Sequence, residues 1–358
     1  MRPPTALPCL LALALAALAL SGAPGAAQAA PRKHHRAAPQ ADPVYGARAD
    51  LLQFADEVAA RRGLPRAWLA QQLAQAHRVE AVRRLIMPPP AGTAKNWAAY
   101  RARFVEPRRI EAGVAFWQAQ EGPLAQAEQR YGVPAAVVVA IIGVETYYGR
   151  LTGSFRTLDA LATLAFDFPP GRKDRSAFFR GELEEFFVLC AREGSDPQAV
   201  RGSYAGAIGL PQFMPGSINR LAVAGDGDGR IDLLASPADA VGSVAHYLAD
   251  AGWQSGLATH HAVGAPADAA ARATLLAPDI VPSFSAAQFA AQGAALDDEG
   301  RAETGLLALV ELQNGGAPPS YVAGTRNFYA LTRYNWSSYY AMAVIELAQA
   351  LVQARASR

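Results

Sequence analysis

The sequence predicts a mainly α protein of the α+β class, helical through most of the chain, with a small strand-containing subdomain near the C-terminus. Two observations support this prediction. From about residue 50, apolar residues recur at the 3.6-residue spacing of amphipathic helices in most segments. Only the stretch from about 256 to 330 loses this period and breaks into short apolar runs between Gly and Pro.

The composition is that of a folded globular protein. Of the 358 residues, 51% are hydrophobic and 18% are charged, which excludes a disordered chain. The formal net charge is only +2, from 33 Lys and Arg against 31 Asp and Glu. Because proteins that bind duplex nucleic acid usually carry a concentrated basic excess, we expect no nucleic-acid partner. Two cysteines exclude a disulfide-based scaffold.

The first 29 residues predict a secretory signal peptide. One charge, Arg2, precedes an apolar run from Leu7 to Leu20, and small residues follow it up to Ala29. The run is about 14 residues, shorter than the ~20 that cross a bilayer, so we expect no transmembrane segment in the mature chain. Cys9 lies near the start of the run, where it does not suit lipid attachment. We therefore predict a periplasmic protein without a lipid anchor, with residues 30–47 as a flexible linker.

Local signals define the helices that follow. Gly63 ends the first one, and Pro65, Pro134 and Pro237 suit the first turns of three others. The almost wholly apolar run at 135–144 predicts a helix buried on all sides. A Pro-rich break falls at 87–92. The predicted helices span about 50–63, 65–76, 106–131, 134–145, 158–166, 176–193, 237–251 and 337–357, and the region 201–235 is predicted as loops.

Glu145 is the strongest candidate for catalysis. It follows the apolar run and precedes Thr-Tyr-Tyr-Gly. Burial raises the pKa of a carboxyl group, which would keep Glu145 protonated near neutral pH as a general acid. The alternative is a structural glutamate at a helix end that pairs with Arg150.

Two Gly-rich loops are the other candidate sites. The segment GSYAGAIGLPQFMP at 202–215 contains Ser203 and Gln212, which can hydrogen-bond a ligand, although it could equally be a structural loop. In AGDGDGRIDLLASPAD, Asp226 and Asp228 have the spacing of the third and fifth ligands of a calcium loop. The first ligand is missing because Ala224 stands there, so an ordinary Gly/Asp turn is the alternative.

Taken in order, these three segments resemble the membrane-bound lytic murein transglycosylase B family. Similar segments are PPPAGTAKNWAAYRARF at 88–104 and RNFYALTRYNWSSYYAMAV at 326–344, and the resemblance covers about 48–353. It implies a lysozyme-like helical catalytic core at about 131–255. It also implies a helical flanking region at about 48–130 joined by the C-terminal helix 337–357, and a small mixed subdomain at about 256–330.

The family pattern also implies roles for individual residues. Glu145 matches the single catalytic glutamate. The residues that match substrate-binding positions are Ser203, Gln212, Tyr100, Tyr247, Tyr334, Asn335 and Tyr340. The residues that match ligands of the family's calcium loop are Asp226, Asp228, Arg230 through its carbonyl, and Asp239. No organic cofactor is expected, and a structural Ca²⁺ is expected only with a weakened site, since Ala224 replaces the first aspartate.

The resemblance implies that the chain cleaves the β-1,4 bond between N-acetylmuramic acid and N-acetylglucosamine in peptidoglycan and forms 1,6-anhydro ends. Glu145 would act first as acid and then as base. Two alternatives remain open: a hydrolytic muramidase, and a non-catalytic peptidoglycan-binding protein. The expected partners are glycan strands and proteins of cell-wall synthesis or remodelling, and we expect a monomer.

Overall fold

The computed structural model describes residues 42–88 and 94–357. The predicted signal peptide, most of the predicted linker and most of the Pro-rich break lie outside the described residues. The helices are α1 (Ala49–Arg62), α2 (Arg66–Ala74), α3 (Glu80–Leu85), α4 (Trp97–Arg101), α5 (Pro107–Ala119), α6 (Glu121–Tyr131), α7 (Ala135–Thr146), α8 (Thr157–Phe166), α9 (Ser176–Glu193), α10 (Pro215–Leu221), α11 (Pro237–Asp250), α12 (Ala269–Leu276), α13 (Ala286–Ala291), α14 (Asp298–Ala302), α15 (Arg326–Tyr334) and α16 (Ser338–Ala356). The strands are β1 (Phe155–Arg156), β2 (Arg201–Gly202), β3 (His260–Gly264), β4 (Ala295–Leu296), β5 (Ala308–Asn314) and β6 (Ala317–Gly324).

The described residues form two compact units. The smaller unit comprises residues 42–88 and 154–206, and the larger unit comprises 94–153 and 207–357. These two units do not test the three regions that the sequence predicts, and the division into a flanking region, a core and a subdomain stays a prediction.

The smaller unit contains α1–α3, α8, α9 and the two-stranded antiparallel pair β1–β2. Helix α1 ends at Gly63 in the left-handed conformation, as predicted. Cys190 is buried on α9, and burial raises the pKa of its thiol to about 12, which suits a packing role.

Helix α7 is the centre of the larger unit. All twelve of its residues are buried, which confirms the prediction from its apolar run. Helices α5, α6, α11 and α16 pack around it. A helix that is apolar on every side must be covered by other helices, because each methylene left exposed to water would cost about 0.8 kcal/mol. Glu145 is therefore held by an element whose residues are all buried.

The helix predicted over 106–131 is in fact two helices, α5 and α6, and this part of the prediction is wrong. The break falls at Gln120, whose backbone lies outside the helical region. Pro123 explains the break. Proline lacks an amide hydrogen, and its ring clashes with the carbonyl four residues earlier, so the first helix cannot continue through it.

The predicted loop region 201–235 contains one short helix, α10, which the sequence analysis missed. Its seven residues are too few for the helical period to stand out, and Pro215 opens it in the first turn.

The region 256–330 contains strands, as predicted. It holds a four-stranded antiparallel sheet in the order β4-β3-β6-β5, together with α12–α14. A separate hydrophobic cluster, which includes Leu275, Phe289 and Leu309, packs against one face of this sheet.

No single helix in the described part of the chain has the length and hydropathy that a membrane crossing requires. The bent pair α6–α7 reaches them only when its two helices are taken together.

Candidate active site

Glu145 lies in the last turn of α7 and is 6% exposed. Its Oε1 accepts a hydrogen bond of 2.7 Å from the Tyr340 hydroxyl, which comes from α16. Burial raises the pKa of Glu145 to about 7, although the hydrogen bond from Tyr340 lowers it. The carboxyl group is therefore protonated in a large fraction of molecules near neutral pH. When it is ionised, it still accepts the hydrogen bond from the Tyr340 hydroxyl.

The ion pair between Glu145 and Arg150, which was the structural alternative, is not found among the residues that the structure describes. The Arg150 guanidinium lies 5.0 Å from the centroid of the Tyr147 ring instead. No cation among the described residues pairs with the carboxylate, so no opposite charge offsets the cost of burying its ionised form. This is the arrangement expected of a general acid rather than of a structural glutamate.

The turn after Glu145 has an unusual backbone. Tyr147 and Tyr148 both adopt the left-handed conformation, with φ of 52° and 60°. Two successive residues with side chains in this region cost free energy, which neighbouring contacts must offset. Thr146 supplies two such contacts, because its hydroxyl donates to Leu210 O at 2.8 Å and accepts from Gly149 N at 3.1 Å.

Arg109 of α5 holds the same turn from the other side. Its guanidinium donates a hydrogen bond to the Gly143 carbonyl and lies 4.5 Å from the centroid of the Tyr147 ring. The Tyr148 hydroxyl packs over Gly113 and Gly143, where an added Cβ would lie 2.2 and 2.6 Å from its oxygen. Both glycines are therefore required for this packing.

Tyrosine rings occupy the space beside Glu145. The Tyr340 and Tyr334 rings stack at 6.2 Å, and Tyr334 contacts Tyr247 at 4.8 Å. The ionised carboxylate of Glu145 contributes to the raised pKa of Tyr340, Tyr334 and Tyr100, and that of Tyr100 reaches about 12. The structure thus brings these three predicted substrate-binding tyrosines close to Glu145, with Tyr247 one ring further away.

Asn335 ends α15 and is 5% exposed. Its side-chain Oδ1 is buried and accepts no hydrogen bond from any residue that the structure describes. Leaving a buried carbonyl oxygen unpaired costs about 1–3 kcal/mol, so this atom is a candidate acceptor for a ligand.

Gln212 and Ser203 lie in different units. Gln212 adopts a left-handed conformation at φ 51°, and its amide donates to Thr152 O at 3.0 Å and Gly209 O at 2.9 Å. It thereby ties the 207–213 loop to the segment that follows α7. Ser203 belongs to the smaller unit, in the turn after β2. Its predicted role beside Glu145 stays a prediction.

Arg109, Thr146 and Tyr148, which hold the turn after Glu145, were not predicted as site residues from the sequence. Nothing in the sequence distinguishes Arg109 from the other arginines near it, because its role depends on a long-range hydrogen bond to the Gly143 carbonyl. A signal did exist for Tyr148: Gly113 interrupts the apolar stripe of α5, and a helical glycine at such a position indicates a close approach.

With this geometry established, comparison with known proteins identifies the family. Residues 46–349 match the model of the transglycosylase SLT domain. The chain belongs to the SLT-domain lytic transglycosylases. It is 39% identical over 317 residues to the membrane-bound lytic murein transglycosylase B of Escherichia coli, a match that covers 85% of this chain and 82% of the relative. The fold is accordingly the lysozyme-like one of this family, and the chain is a lytic murein transglycosylase.

Two solved structures of related lytic transglycosylases carry bound groups. The E. coli lytic transglycosylase Slt35 in complex with calcium has a TM-score of 0.74 and 38% identity, and the match covers 86% of this chain and 94% of Slt35. SltB3 of Pseudomonas aeruginosa in complex with NAG-anhNAM-pentapeptide has a TM-score of 0.68 and 27% identity, over 84% of this chain and 79% of SltB3.

The calcium loop predicted for this transglycosylase is closed by hydrogen bonds within the protein. The two carboxylate oxygens of Asp239 accept from Gly225 N and Asp232 N, both at 2.7 Å. Asp226 accepts from Asp228 N at 3.1 Å, and Asp228 accepts from Arg230 N at 2.7 Å.

These residues do not fit a strong calcium site. No group of three or more His, Cys, Asp or Glu residues converges on a metal position in the described ranges. Ala224 supplies no oxygen, and the Asp239 carboxylate already binds two amide groups of the loop. Ca²⁺ requires six to eight oxygen ligands at 2.3–2.6 Å, so several of these groups would have to rearrange to bind it.

Proposed function

We propose that Glu145 performs both proton transfers of the transglycosylase reaction. The observation that carries this proposal is the burial of a carboxyl group that has one hydrogen-bond donor and no cation among its described neighbours. Its pKa carries no contribution from a second carboxylate. Ordinary glycosidases use a pair of carboxyl groups, so this site supports a mechanism in which one group serves twice.

In the first step, protonated Glu145 donates its proton to the glycosidic oxygen, and the bond between that oxygen and C1 of N-acetylmuramic acid breaks. The acetamido oxygen of the same sugar bonds to C1 and stabilises the positive charge. In the second step, ionised Glu145 takes the proton of the C6 hydroxyl. The C6 oxygen then bonds to C1, the acetamido oxygen leaves, and the 1,6-anhydro ring closes without water.

Tyr340 has a distinct part in this mechanism. Its hydroxyl donates to Glu145 Oε1, which fixes the direction of the carboxyl group and stabilises the carboxylate formed after the first step. Burial alone would raise the pKa further and make Glu145 a weaker acid in the first step, whereas the hydrogen bond from Tyr340 lowers the pKa. The opposed effects of burial and Tyr340 keep the pKa near the working pH, where both steps are possible.

The substrate is proposed to be a peptidoglycan strand that carries stem peptides, like the ligand bound by SltB3. Tyr100, Tyr334 and Tyr340 supply aromatic and hydroxyl groups beside Glu145, and Tyr247 supports the Tyr334 ring. The unpaired Oδ1 of Asn335 is suited to accept a hydrogen bond from a sugar amide or hydroxyl. Ser203 and Gln212 are proposed to bind the sugar beside the scissile bond.

The 224–239 segment is proposed to be a weakened calcium loop. Asp226, Asp228, the Arg230 carbonyl and Asp239 would be its ligands, and the ion would stabilise the loop without taking part in proton transfer. The predicted signal peptide supports export to the periplasm, and the position of Cys9 supports a form without a lipid anchor. N-terminal sequencing of the exported protein tests this: we expect it to begin at Ala30, and incorporation of labelled palmitate would contradict it.

The proposal is tested by mass spectrometry of the products released from purified peptidoglycan. Wild type should release fragments with 1,6-anhydromuramyl ends, and Glu145→Gln should release none. Glu111→Gln, which changes an exposed glutamate on α5, is the matched control and should act like wild type. Reducing muramyl ends from wild type would indicate a hydrolytic muramidase, and cleavage by Glu145→Gln would remove Glu145 from the proton transfers.

A further inference from the structure

The two carboxylate oxygens of Glu145 have different surroundings. Oε1 accepts the hydrogen bond of 2.7 Å from the Tyr340 hydroxyl, whereas Oε2 accepts no hydrogen bond from any residue that the structure describes. Burial and the Glu145 carboxylate raise the pKa of Tyr340 well above its ordinary value, so this hydroxyl keeps its proton throughout the reaction. Because Oε1 stays occupied, the proton of neutral Glu145 is on Oε2.

In the proposed mechanism, both proton transfers therefore pass through one atom. Glu145 is 6% exposed and lies in a helix whose twelve residues are all buried, and the bond to Tyr340 fixes the direction of the carboxyl group. The glycosidic oxygen and the C6 hydroxyl must each come within about 2.6–3.2 Å of Oε2. Once the glycosidic bond is broken, the freed C4 hydroxyl of N-acetylglucosamine and the C6 hydroxyl compete for the same base.

Water lacks a base of its own in this site. A glycosidase that hydrolyses its substrate ordinarily uses a second carboxylate, and the pKa of Glu145 carries no contribution from one. The rings of Tyr340 and Tyr334, which stack at 6.2 Å, occupy space beside the carboxyl group. Two sugar hydroxyls are therefore the favoured partners of C1: the C6 hydroxyl of the same sugar, and the C4 hydroxyl of another strand.

We propose that the same site also joins glycan strands, by adding the free C4 hydroxyl of a terminal N-acetylglucosamine to C1 of a 1,6-anhydro-N-acetylmuramic acid end. This inference rests on the proposed function, because it runs the two proton transfers of Glu145 in the reverse order, as microscopic reversibility allows. The position that the departing strand leaves is the position that the acceptor strand enters, so joining requires no further binding site.

The joining reaction is balanced without water or a co-reactant. Oε2 of Glu145 first donates its proton to the C6 oxygen of the anhydro ring, the bond between this oxygen and C1 breaks, and the acetamido oxygen bonds to C1. Ionised Glu145 then takes the proton of the C4 hydroxyl, the C4 oxygen bonds to C1, and the acetamido oxygen leaves. Glu145 ends protonated, as it began. Because cleavage makes two molecules from one, joining gains on cleavage as the acceptor concentration rises.

The test mixes two short peptidoglycan fragments, an unlabelled donor with an anhydro end and an isotopically labelled acceptor with a terminal N-acetylglucosamine. We expect wild type to form a product whose mass is the sum of the two fragments, at an initial rate proportional to the acceptor concentration. A donor with a reducing muramyl end should give no such product, because it has no anhydro bond to open. Glu145→Gln should form none, and Glu111→Gln, which changes an exposed glutamate, should act as wild type.

The pH dependence is the second measurement. Joining and cleavage should fall together on the alkaline side, because both begin from protonated Glu145, and different alkaline limbs would overturn the inference. Cleavage to anhydro ends with no joined product at any acceptor concentration would overturn the inference and leave the proposed function intact. Joined product together with reducing muramyl ends would support the inference and contradict the proposed ring closure. If wild type neither cleaves nor joins, both are wrong.

Discussion

The hydrogen bond between Tyr340 and Glu145 combines two roles that act in opposite directions on catalysis. It lowers the pKa of Glu145, which disfavours the acid form, and it orients the carboxyl group, which favours both steps. In the proposed mechanism Glu145 acts as acid and then as base, so an intermediate pKa is of greater value here than an extreme one.

Tyr340→Phe should therefore change the pH profile as well as the rate. Without the hydroxyl, the carboxylate loses its donor and the pKa of Glu145 rises above about 7. Glu145 must be protonated for the first step, so the alkaline limb of kcat/KM should move to higher pH by about one unit. The rate at the optimum should fall about tenfold, since the carboxyl group is no longer oriented. Rate measurements across pH check this.

Tyr321→Phe is the control for that experiment. Tyr321 also bonds a glutamate, Glu311 at 2.9 Å, but lies in the strand-containing region. It should leave the profile unchanged. A Tyr340→Phe profile with an unmoved alkaline limb would mean that Glu145 does not control that limb.

At the scale of the elements, the C-terminal turn of α7 links the fold to the proposed catalytic glutamate. Its left-handed tyrosines direct the chain away sharply after Glu145, and Arg109, Thr146 and the glycines under Tyr148 hold the turn. Arg109 does not contribute to the pKa of Glu145. It is therefore a positioning residue, whose action passes through the backbone.

Arg109→Met should lower kcat about tenfold to a hundredfold, because a small displacement of the carboxyl group is enough to slow proton transfer. KM and the alkaline limb of the pH profile should stay unchanged, which separates positioning from loss of binding or electrostatics. Arg109→Lys should recover part of kcat, since lysine keeps a donor and a cation. Arg108→Met, at the exposed neighbouring position, should have no effect. A lower melting temperature with kcat unchanged would indicate a purely structural role.

The loop at 224–239 permits a gain-of-binding prediction. Ala224 lines a cavity of about 250 Å³, which leaves room for a carboxylate at the first ligand position. Calcium should raise the melting temperature of wild type little, whereas Ala224→Asp should gain several degrees with calcium over chelator. Adding Asp228→Ala to that variant should abolish the gain. A large calcium effect on wild type would contradict the weakened-loop proposal.

The sequence predicted correctly those structural features that depend on neighbouring residues in the chain. The apolar run of α7 and the glycine after α1 predicted burial and a helix end correctly, because both depend on neighbouring residues alone. Pro123 was also a local signal, for a helix break, but the helix predicted over 106–131 did not take it into account. The hydrogen bonds from Arg109 to Gly143 and from Tyr340 to Glu145 could not be predicted from the sequence. Each joins residues that are far apart in the chain, and only packing brings them together.

For the molecule as a whole, the active site carries a cost in stability that depends on pH. The pKa of Glu145 is about 7 in the folded protein, against an ordinary value of 4.5. Between these values the unfolded chain releases its proton and the folded protein keeps it, so rising pH stabilises the unfolded state. The free energy of unfolding should therefore fall from about pH 4.5 to about pH 7 and contain no further loss from Glu145 above that range.

Glu145→Gln removes this dependence and gives the prediction its test. The amide keeps the shape of the side chain but never ionises, so above pH 7 the variant should be more stable than wild type by about 3 kcal/mol. At pH 4 the two proteins should have nearly equal stability, because Glu145 is then neutral in both states. Denaturant unfolding at pH 4 and pH 8 measures the difference, with Glu111→Gln as control. Equal stability of wild type and Glu145→Gln at pH 8 would mean that ionising Glu145 costs no free energy in the folded protein. The general-acid role would then lose its physical basis.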